Sequence, residues 1–306
     1  MTDVVIPLSN GSAWSDNELR FALRSLMRYV ADLGRIIVVG HKPAWLNEDA
    51  VLHLDVQDRR KSHKDSNMIR KVLAACDHVS GPFVRMSDDQ CVLRPVTFGD
   101  LPAYGRPMNP ATAEPDGKWA RKRNRTFVWL RDNGYPTADF DLHCPMLYDP
   151  ETFRRMAAES PWEPRPGYCI NSLYGGFARL TPVSPAGLVA RYSEAETASC
   201  HKNILKRAHD SRTTFLNYRN ASLTRPMRYA LSVMFPERSV CETVDHGEQF
   251  DPNEWLRAKP SRQREAVVVR GPVDESRMVR RQRSHARLLA MGPEKRRRLR
   301  QKARAA

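Results

Sequence analysis

Residues 3–8 (DVVIPL) form a short apolar run that ends in the loop-forming sequence SNGS. A run of this kind is typical of a buried parallel strand that enters a loop at the carboxyl edge of a sheet. Residues 16–29 (DNELRFALRSLMRY) place three leucines at helical spacing and predict an amphipathic helix, with Asp16 available as its cap. Residues 35–40 (RIIVVG) and 50–56 predict two further strands. The β-α-β-β order indicates an α/β, Rossmann-like sheet of the kind that binds nucleotides.

The charge of the chain is concentrated in its C-terminal region. The 306 residues carry a net charge of +15, and residues 257–306 contain 17 Lys and Arg against 4 Asp and Glu. Residues 1–256 therefore carry only +2, which predicts a near-neutral globular domain followed by a basic tail at 257–306. Helical segments are expected in the tail, broken at Gly292 and Pro293, with basic residues that bind DNA or another polyanion. A disordered solubilising tail fits the same composition. The tail residues expected to contact nucleic acid are Arg296, Arg297 and Arg298.

Composition also argues against several classes of protein. No run of about 18 apolar residues occurs, and the first residues enter a strand pattern rather than a signal sequence. The six cysteines include no CxxC pair, which argues against a structural zinc site and a disulfide framework. A protein without membrane spans, with reduced thiols in a cytoplasm, is expected.

Adjacent carboxylates follow the next predicted strand. Residues 82–86 (PFVRM) predict a strand that ends in Ser87, Asp88, Asp89 and Gln90. Two neighbouring carboxylates repel each other unless a cation shares them. Asp88 and Asp89 are therefore candidate ligands of Mn²⁺ or Mg²⁺, although the same residues suit a turn or a helix cap.

A basic and polar stretch precedes the second predicted helix, residues 68–76. Residues 59–67 (RRKSHKDSN) lead into this helix, and its free backbone amides together with positive side chains suit a diphosphate. The candidate residues are Lys64, Asn67 and Lys71. A solvated charged loop is the alternative interpretation.

The order of these elements resembles the GT-A fold of nucleotide-sugar glycosyltransferases. More specifically, NELRFALRSL, RIIVVG, KPAWLN and FVRMSDDQCVLRPV resemble Stealth-type sugar-phosphate transferases and related phage glycosyltransferases, over residues 3–240. Later segments continue the phage pattern at residues 141–149 (DLHCPMLYD), at residues 172–175 (SLYG) and at a closing FP. The first strand ends in PLSNGS and the acidic motif carries Ser87 and Gln90, departures that weaken the phosphotransferase interpretation.

The resemblance implies a UDP-sugar donor, with UDP-glucose favoured, and a divalent metal ion. Implied donor-binding residues, with those named above, are Ser9, Asn10, Gly11, Arg20 and Lys202. His201 is implied as a late metal ligand beside Asp88 and Asp89, although His201 and Lys202 also suit an ordinary surface pair.

A base is expected within residues 139–143 (DFDLH). Asp139, Asp141 and His143 alternate, so an extended segment would place all three side chains on one face. Asp141 or His143 is then the candidate base that deprotonates the acceptor. The alternative interpretation is that Asp141 orients His143 or caps a turn before Pro145.

Residues 118–131 (KWARKRNRTFVWLR) combine six basic residues with Trp119, Phe127 and Trp129. Basic groups can follow phosphates while an aromatic ring stacks on an exposed base. An amphipathic element with its aromatic rings in the core is the alternative. The candidate nucleic-acid contacts are Lys118, Trp119, Arg121, Lys122, Arg123 and Arg125.

These expectations combine into one function hypothesis. The chain is predicted to transfer a sugar from a UDP-sugar to the hydroxyl group of 5-hydroxymethylated pyrimidines, 5-hydroxymethylcytosine foremost, in double-stranded phage DNA in the bacterial host cytoplasm. One alternative keeps the fold and changes the acceptor to a polysaccharide or a protein. Another is a nucleic-acid-binding protein on a GT-A-like scaffold without catalysis.

Overall fold

The computed structural model describes residues 1–12, 14–59, 64–111, 116–163, 167–192, 197 and 201–243. The strands are β1 (Thr2–Leu8), β2 (Leu33–Gly40), β3 (Leu52–Leu54), β4 (Phe83–Arg85), β5 (Gln90–Val92), β6 (Arg106–Pro107), β7 (Ala138–Asp139), β8 (Met146–Tyr148), β9 (Val189–Arg191) and β10 (Phe215–Asn217). The helices are α1 (Asn17–Tyr29), α2 (Lys64–Cys76), α3 (Lys118–Asp132), α4 (Pro150–Glu159), α5 (Ile170–Phe177), α6 (His201–Ala208) and α7 (Arg225–Met234), with a 3-10 turn at Asn220–Ser222.

A five-stranded sheet in the order β3-β2-β1-β4-β8 forms the centre of the fold. The first four strands in that order are parallel, and β8 pairs with β4 in the antiparallel sense. The predicted β-α-β-β opening is confirmed, and the third strand is shorter than expected. Helix α2 begins at Lys64, four residues before the predicted start. The chain is therefore a mixed α/β protein with a parallel-strand sheet.

Both faces of this sheet are covered, which explains the continuous apolar strands. In β1, Val5 packs into the cluster that contains the buried side of α2, while Val4 and Ile6 pack on the side of α1. Alternation of side chains along a strand produces this division. Burial on both faces makes β1 the centre of the core.

The order of the strands reverses at β1. The chain runs from β1 outward to β2 and β3, and then returns to add β4 on the other side of β1. In open α/β sheets, ligands bind at the carboxyl ends of the strands at such a switch point. The loop after β1 and the turn after β4 therefore border the expected binding crevice.

A three-stranded sheet, β5-β10-β9, extends the structure beyond the turn after β4. Strand β10 pairs with β5 in the antiparallel sense and with β9 in the parallel sense. Phe21 of α1 and Leu231 of α7 pack in a shared cluster with Leu216 of β10. The small sheet thereby holds the ends of β9 and β10 next to the acidic turn.

Several other expectations concern the cysteines and the tail. Cys76, Cys91, Cys144, Cys169 and Cys241 are buried free thiols, and Cys200 lies outside the described residues. Within the described ranges, no helix is both long and apolar enough to cross a membrane. The basic tail and Arg296, Arg297 and Arg298 lie outside the described residues, so the division at residue 256 stays a prediction.

Candidate active site

The adjacent aspartates lie in a turn that connects β4 to β5. The backbone N–H of Ser87 donates to Oε1 of Gln90 at 2.8 Å, and the backbone N–H of Gln90 donates to the carbonyl oxygen of Ser87 at 3.2 Å. Gln90 therefore closes the turn with its side chain. Asp88 and Asp89 occupy its centre, at the carboxyl edge of the sheet.

Four carboxylates lie close enough to influence one another. Burial raises the pKa of Asp88, and the charge of Asp16 raises it further. Burial, followed by the charge of Asp88, raises the pKa of Asp89 to about 8. Glu18, buried in the first turn of α1, has a pKa raised to about 7 by burial, with smaller contributions from Asp88 and Asp16. The four carboxyl groups therefore oppose one another's ionisation, and a bound cation would stabilise their charged forms.

The hydroxyl group of Ser12 organises the segment that leads into α1. It accepts hydrogen bonds from the backbone N–H groups of Trp14 (3.0 Å) and Asp16 (2.9 Å), and it donates to Oε2 of Glu18 at 2.7 Å. Oδ1 of Asp16 and Oε1 of Glu18 are buried with no hydrogen-bond partner among the described residues. Two such buried oxygens are costly unless a ligand satisfies them.

Asp16 does not cap α1 with its side chain, contrary to the sequence prediction. The residue has left-handed backbone geometry (φ 56°), and its carboxylate accepts no hydrogen bond from the helix. Oδ2 lies 3.1 Å from Nε2 of His41 instead. Ser15 is also left-handed (φ 53°), so two consecutive non-glycine residues adopt a strained conformation beside the site.

The carboxylates fit a divalent cation by charge but do not form a complete coordination shell. In the part of the chain that the structure describes, no group of three or more His, Cys, Asp or Glu side chains is positioned to hold a metal ion. His201, at the start of α6, contacts the ring of Tyr229 edge-on with 4.7 Å between ring centroids, so it does not form such a group with Asp88 and Asp89. An ion held by one or two carboxylates would complete its shell with water and phosphate oxygens, as Mg²⁺ commonly does.

The loop after β1 is exposed, as expected for a donor-binding segment. Its exposed residues are Ser9, Asn10 and Gly11. The predicted role of Lys71 as a phosphate ligand is less well supported, because its ammonium group is already engaged. Nζ donates to the carbonyl oxygen of Leu8 at 2.6 Å and to Oγ of Ser9 at 3.0 Å, and lies 2.8 Å from a carboxylate oxygen of Asp58. Lys71 therefore holds the loop in position.

The remaining predicted donor contacts are dispersed. Nη1 of Arg20 is in a buried ion pair with Oε2 of Glu242 at 3.1 Å, so its charge stabilises the fold. Asn67 is buried in α2, whereas Lys64 and Lys202 are exposed near the starts of α2 and α6. The charged groups of Arg20 and Lys71 are therefore both engaged by groups within the fold.

The segment at residues 139–143 is not extended, so its three polar side chains do not share a face. Strand β7 ends at Asp139, and His143 adopts left-handed geometry with φ 60°. A carboxylate oxygen of Asp139 lies 3.0 Å from Nη2 of Arg106 and 3.3 Å from Nη1 of Arg123. Asp139 is therefore neutralised within the fold.

Asp141 caps helix α5. Its Oδ2 accepts hydrogen bonds from the backbone N–H of Ser172 at 2.9 Å and from the hydroxyl group of Ser172 at 2.6 Å, and its Oδ1 accepts from the backbone N–H of Asn171 at 3.4 Å. Burial raises the pKa of Asp141, although the bonds from Ser172 oppose the change. Asp141 is therefore a capping residue, but it caps the start of α5 and not a turn before Pro145.

His143 is the less constrained of the two candidate bases. Its ring forms no hydrogen bond with any described residue. Burial, followed by the charges of Arg191 and Arg219, lowers its pKa to about 4. The imidazole is therefore neutral near pH 7, with a free lone pair on one ring nitrogen, while the same burial and charges oppose its protonation.

Arg85, Arg191 and Arg219 are functional candidates that the sequence did not indicate. Each lowers the pKa of His143 by its charge, so the three guanidinium groups act on the same part of the site. They come from β4, β9 and the residues after β10, which are distant in sequence. The turn that joins β4 to β5 and the pairing of β10 with β5 and β9 bring these arginines to the same region. No local sequence signal could have identified them.

Helix α3 divides its basic and aromatic residues between two environments. Phe127 is buried and Trp129 packs against the core, as the amphipathic alternative predicts. Trp119 is 47% exposed, and the Nζ atom of Lys122 lies 4.3 Å from the centre of its ring. Lys122 also pairs with Asp65 at 2.8 Å, so this cation is already compensated.

Comparisons with known proteins give a limited result. No protein-family model matches the chain. No curated protein matches it in sequence. Among solved structures, the chain is similar to the apo form of mouse xyloside xylosyltransferase 1, with 11% sequence identity and a TM-score of 0.36. This likeness covers 71% of the present chain and 96% of the mouse chain.

Proposed function

We propose that the chain is a metal-dependent glycosyltransferase that moves a sugar from a UDP-sugar to the hydroxyl group of a 5-hydroxymethylated pyrimidine in DNA. 5-Hydroxymethylcytosine and UDP-glucose are the favoured acceptor and donor. The observation that carries the proposal is the turn after β4. Its adjacent carboxylates, Asp88 and Asp89, form no direct ion pair with a described residue and lie at the switch point of a parallel sheet. This is where such folds bind nucleotides.

The acidic turn suits a cation that is shared with a diphosphate. Mn²⁺ or Mg²⁺ held by Asp88 and Asp89 would offset the negative charge that develops on a departing diphosphate. Raised pKa values of these two carboxyl groups indicate that burial and mutual repulsion oppose their ionisation. Metal binding would relieve that cost.

The proposed transfer needs a base for the acceptor hydroxyl group. The acceptor oxygen forms a bond to the anomeric carbon as the bond from that carbon to the diphosphate oxygen breaks, and UDP leaves. The hydroxyl proton passes to a base, for which His143 is the better candidate because its neutral ring has no partner among the described residues. Asp141 keeps the segment in place by capping α5.

A DNA acceptor is supported by the basic face of α3. Lys118, Arg121 and Arg125 are spaced three and four residues apart, so they lie on one face of the helix. None of the three forms an ion pair with a described carboxylate. Together with exposed Trp119, they can contact phosphates and a base extruded from the duplex. The net charge of +13 in residues 257–306 favours the same partner.

The experiment combines the full chain with Mn²⁺ or Mg²⁺, a series of UDP-sugars, and duplex DNA. The DNA contains 5-hydroxymethylcytosine, 5-hydroxymethyluracil or only normal bases, and its nucleosides are analysed by mass spectrometry. A gain of one hexose on a hydroxymethylated nucleoside is expected. Asp89→Asn should lower the rate by about hundredfold or more, since it removes a metal ligand worth several kcal/mol in the transition state. Asp49→Asn, at an exposed carboxylate away from the turn, is the matched control.

Other outcomes would change the assignment. Release of UDP without modified nucleosides would retain the transferase and direct the search to polysaccharide or protein acceptors. DNA binding that is unaffected by Asp89→Asn, without transfer or UDP release for any donor, would indicate a non-catalytic nucleic-acid-binding protein.

A further inference from the structure

Three arginines, Arg85, Arg191 and Arg219, lie in elements that border the acidic turn. Arg85, Arg191 and Arg219 each act on His143 electrostatically, and Arg219 also lowers the pKa of Arg191. None of the three forms an ion pair with a described carboxylate. The charges of Arg191 and Arg219 repel each other, so their approach is unfavourable in the absence of an anion.

Arg85 provides the strongest evidence because it is buried. The residue is 7% exposed, and its Nε atom has no hydrogen-bond partner among the described residues. Its Nη2 lies 3.3 Å from the sulfur of Met68, a weak acceptor. The charge of Arg85 acts on Asp88 and Asp89 at longer range, but Arg85 forms no direct ion pair with a described carboxylate. Burial of such a guanidinium is costly, and a bound anion would reduce this cost.

The pairing of β9 with β10 brings Arg191 and Arg219 to the same edge. Arg191 is paired with Asn217 in the parallel ladder, and Arg219 follows Asn217 by two residues. Asn217 is in turn paired with Gln90 of the acidic turn. Both arginines are exposed, so a ligand can reach them from solvent.

Carboxylates near the arginines do not neutralise them. Asp139 lies within their field but is paired with Arg106 and Arg123. Asp89 attracts Arg191 at longer range, and one of its carboxylate oxygens is 3.3 Å from Nδ2 of Asn217. The carboxylates of the acidic turn and the guanidinium groups are therefore neighbours that form no direct ion pair among the described residues. This arrangement suits a cation and an anion that bind together.

We infer that Arg85, Arg191 and Arg219 form a phosphate-binding site. The inference rests on the proposed function, in which the donor carries a diphosphate and the DNA acceptor carries phosphodiesters. Guanidinium groups suit both, because their planar donors match the oxygens of a phosphate. These three arginines take the phosphate-binding role that the sequence suggested for lysines elsewhere in the chain.

The test uses Arg191→Gln, Arg219→Gln and the double variant of the full chain. These side chains are exposed, so the variants should fold, which circular dichroism will check. Arg212→Gln is the matched control, since Arg212 is exposed and pairs with Asp210 on a nearby loop. Binding of inorganic pyrophosphate, UDP and uridine is measured by calorimetry, and binding of duplex DNA is measured across salt concentrations.

If the site holds the donor diphosphate, each single variant should weaken pyrophosphate and UDP binding by about 10- to 100-fold and leave uridine binding unchanged. If it holds an acceptor phosphodiester, pyrophosphate and UDP affinities should stay the same. DNA affinity should then fall, and the slope of log K against log salt should decrease by about 0.9 for each lost contact. Partial recovery in Arg191→Lys and Arg219→Lys is expected in both cases.

Unchanged affinities for pyrophosphate, UDP and DNA in the double variant would overturn the inference, as would equal losses in Arg212→Gln. These results remain separable from those on the proposed function. Arginine-dependent pyrophosphate binding without sugar transfer would refute the proposed function alone. Normal transfer and normal affinities in the double variant would refute the phosphate site alone.

Discussion

Helix α1 carries two kinds of buried charge, and they differ in how they are compensated. Arg20 and Arg24 project one helical turn apart and enclose Glu242, whose side chain is fully buried. Nε and Nη2 of Arg24 each donate to the carboxylate at 2.7 Å. Glu18, in the first turn, receives one hydrogen bond from Ser12 and leaves Oε1 without a partner among the described residues. The first arrangement stabilises the fold, whereas the second leaves a carboxyl oxygen of Glu18 available to a ligand.

The largest expected effect comes from removing the compensated charge. Glu242→Gln leaves Arg20 and Arg24 without their shared carboxylate and should lower the free energy of unfolding by about 3–5 kcal/mol. Urea denaturation near pH 7 measures this loss, with exposed Glu237→Gln as the control. A loss below about 1 kcal/mol would mean that the ion pairs contribute little.

The pH dependence of this cluster has a definite sign. Burial opposes ionisation of Glu242, but the hydrogen bond and charge of Arg24 hold its pKa below the usual value. Its contribution to stability is therefore present above the pKa of the unfolded chain and is lost as pH falls through the folded pKa. In Glu242→Gln, that part of the acid destabilisation should be absent.

Replacement of Asp141 should have an intermediate effect on stability, because this carboxylate is compensated by the N–H groups at a helix start and not by arginines. Asp141→Ala removes the acceptor for the first N–H groups of α5 and should cost about 1–2 kcal/mol of stability. Asp141→Asn keeps a carbonyl oxygen and should lose less. Equal stability of Asp141→Ala and the wild-type protein in thermal unfolding would contradict the capping role.

The smallest expected effect concerns Glu18, and its sign is opposite to that of Glu242. Burial raises the pKa of Glu18 to about 7, so the folded state favours the protonated carboxyl group, and stability is lost as pH rises from about 4.5 through 7. With chelator present, Glu18→Gln should gain stability relative to the wild-type protein by on the order of 1 kcal/mol between about pH 5 and pH 8. A difference that does not vary with pH would contradict the raised pKa.

The sequence predicted the elements whose signals are local. The apolar runs of β1 and β2, the leucine spacing of α1 and the position of Asp88 and Asp89 all follow from neighbouring residues, and the structure places them as expected. The shared face considered for Asp139, Asp141 and His143 required an extended segment, and alternation of polar residues does not show that His143 is left-handed.

Other parts of the site depend on distant contacts. Arg191 approaches the acidic turn only because β9 pairs with β10, and β10 pairs with β5. Arg20 was a candidate donor contact in the sequence. In the fold it pairs with Glu242, which is more than 200 residues away in sequence. Composition and periodicity contain no information about such partners.

The buried ammonium group of Lys71 has a consequence for ligand affinity. By joining Leu8, Ser9 and Asp58, it fixes one side of the crevice when the chain folds. A ligand that binds against this edge does not have to order it, so less conformational entropy is lost on binding. Through this preorganisation, Lys71 can increase the affinity of a ligand without contacting it.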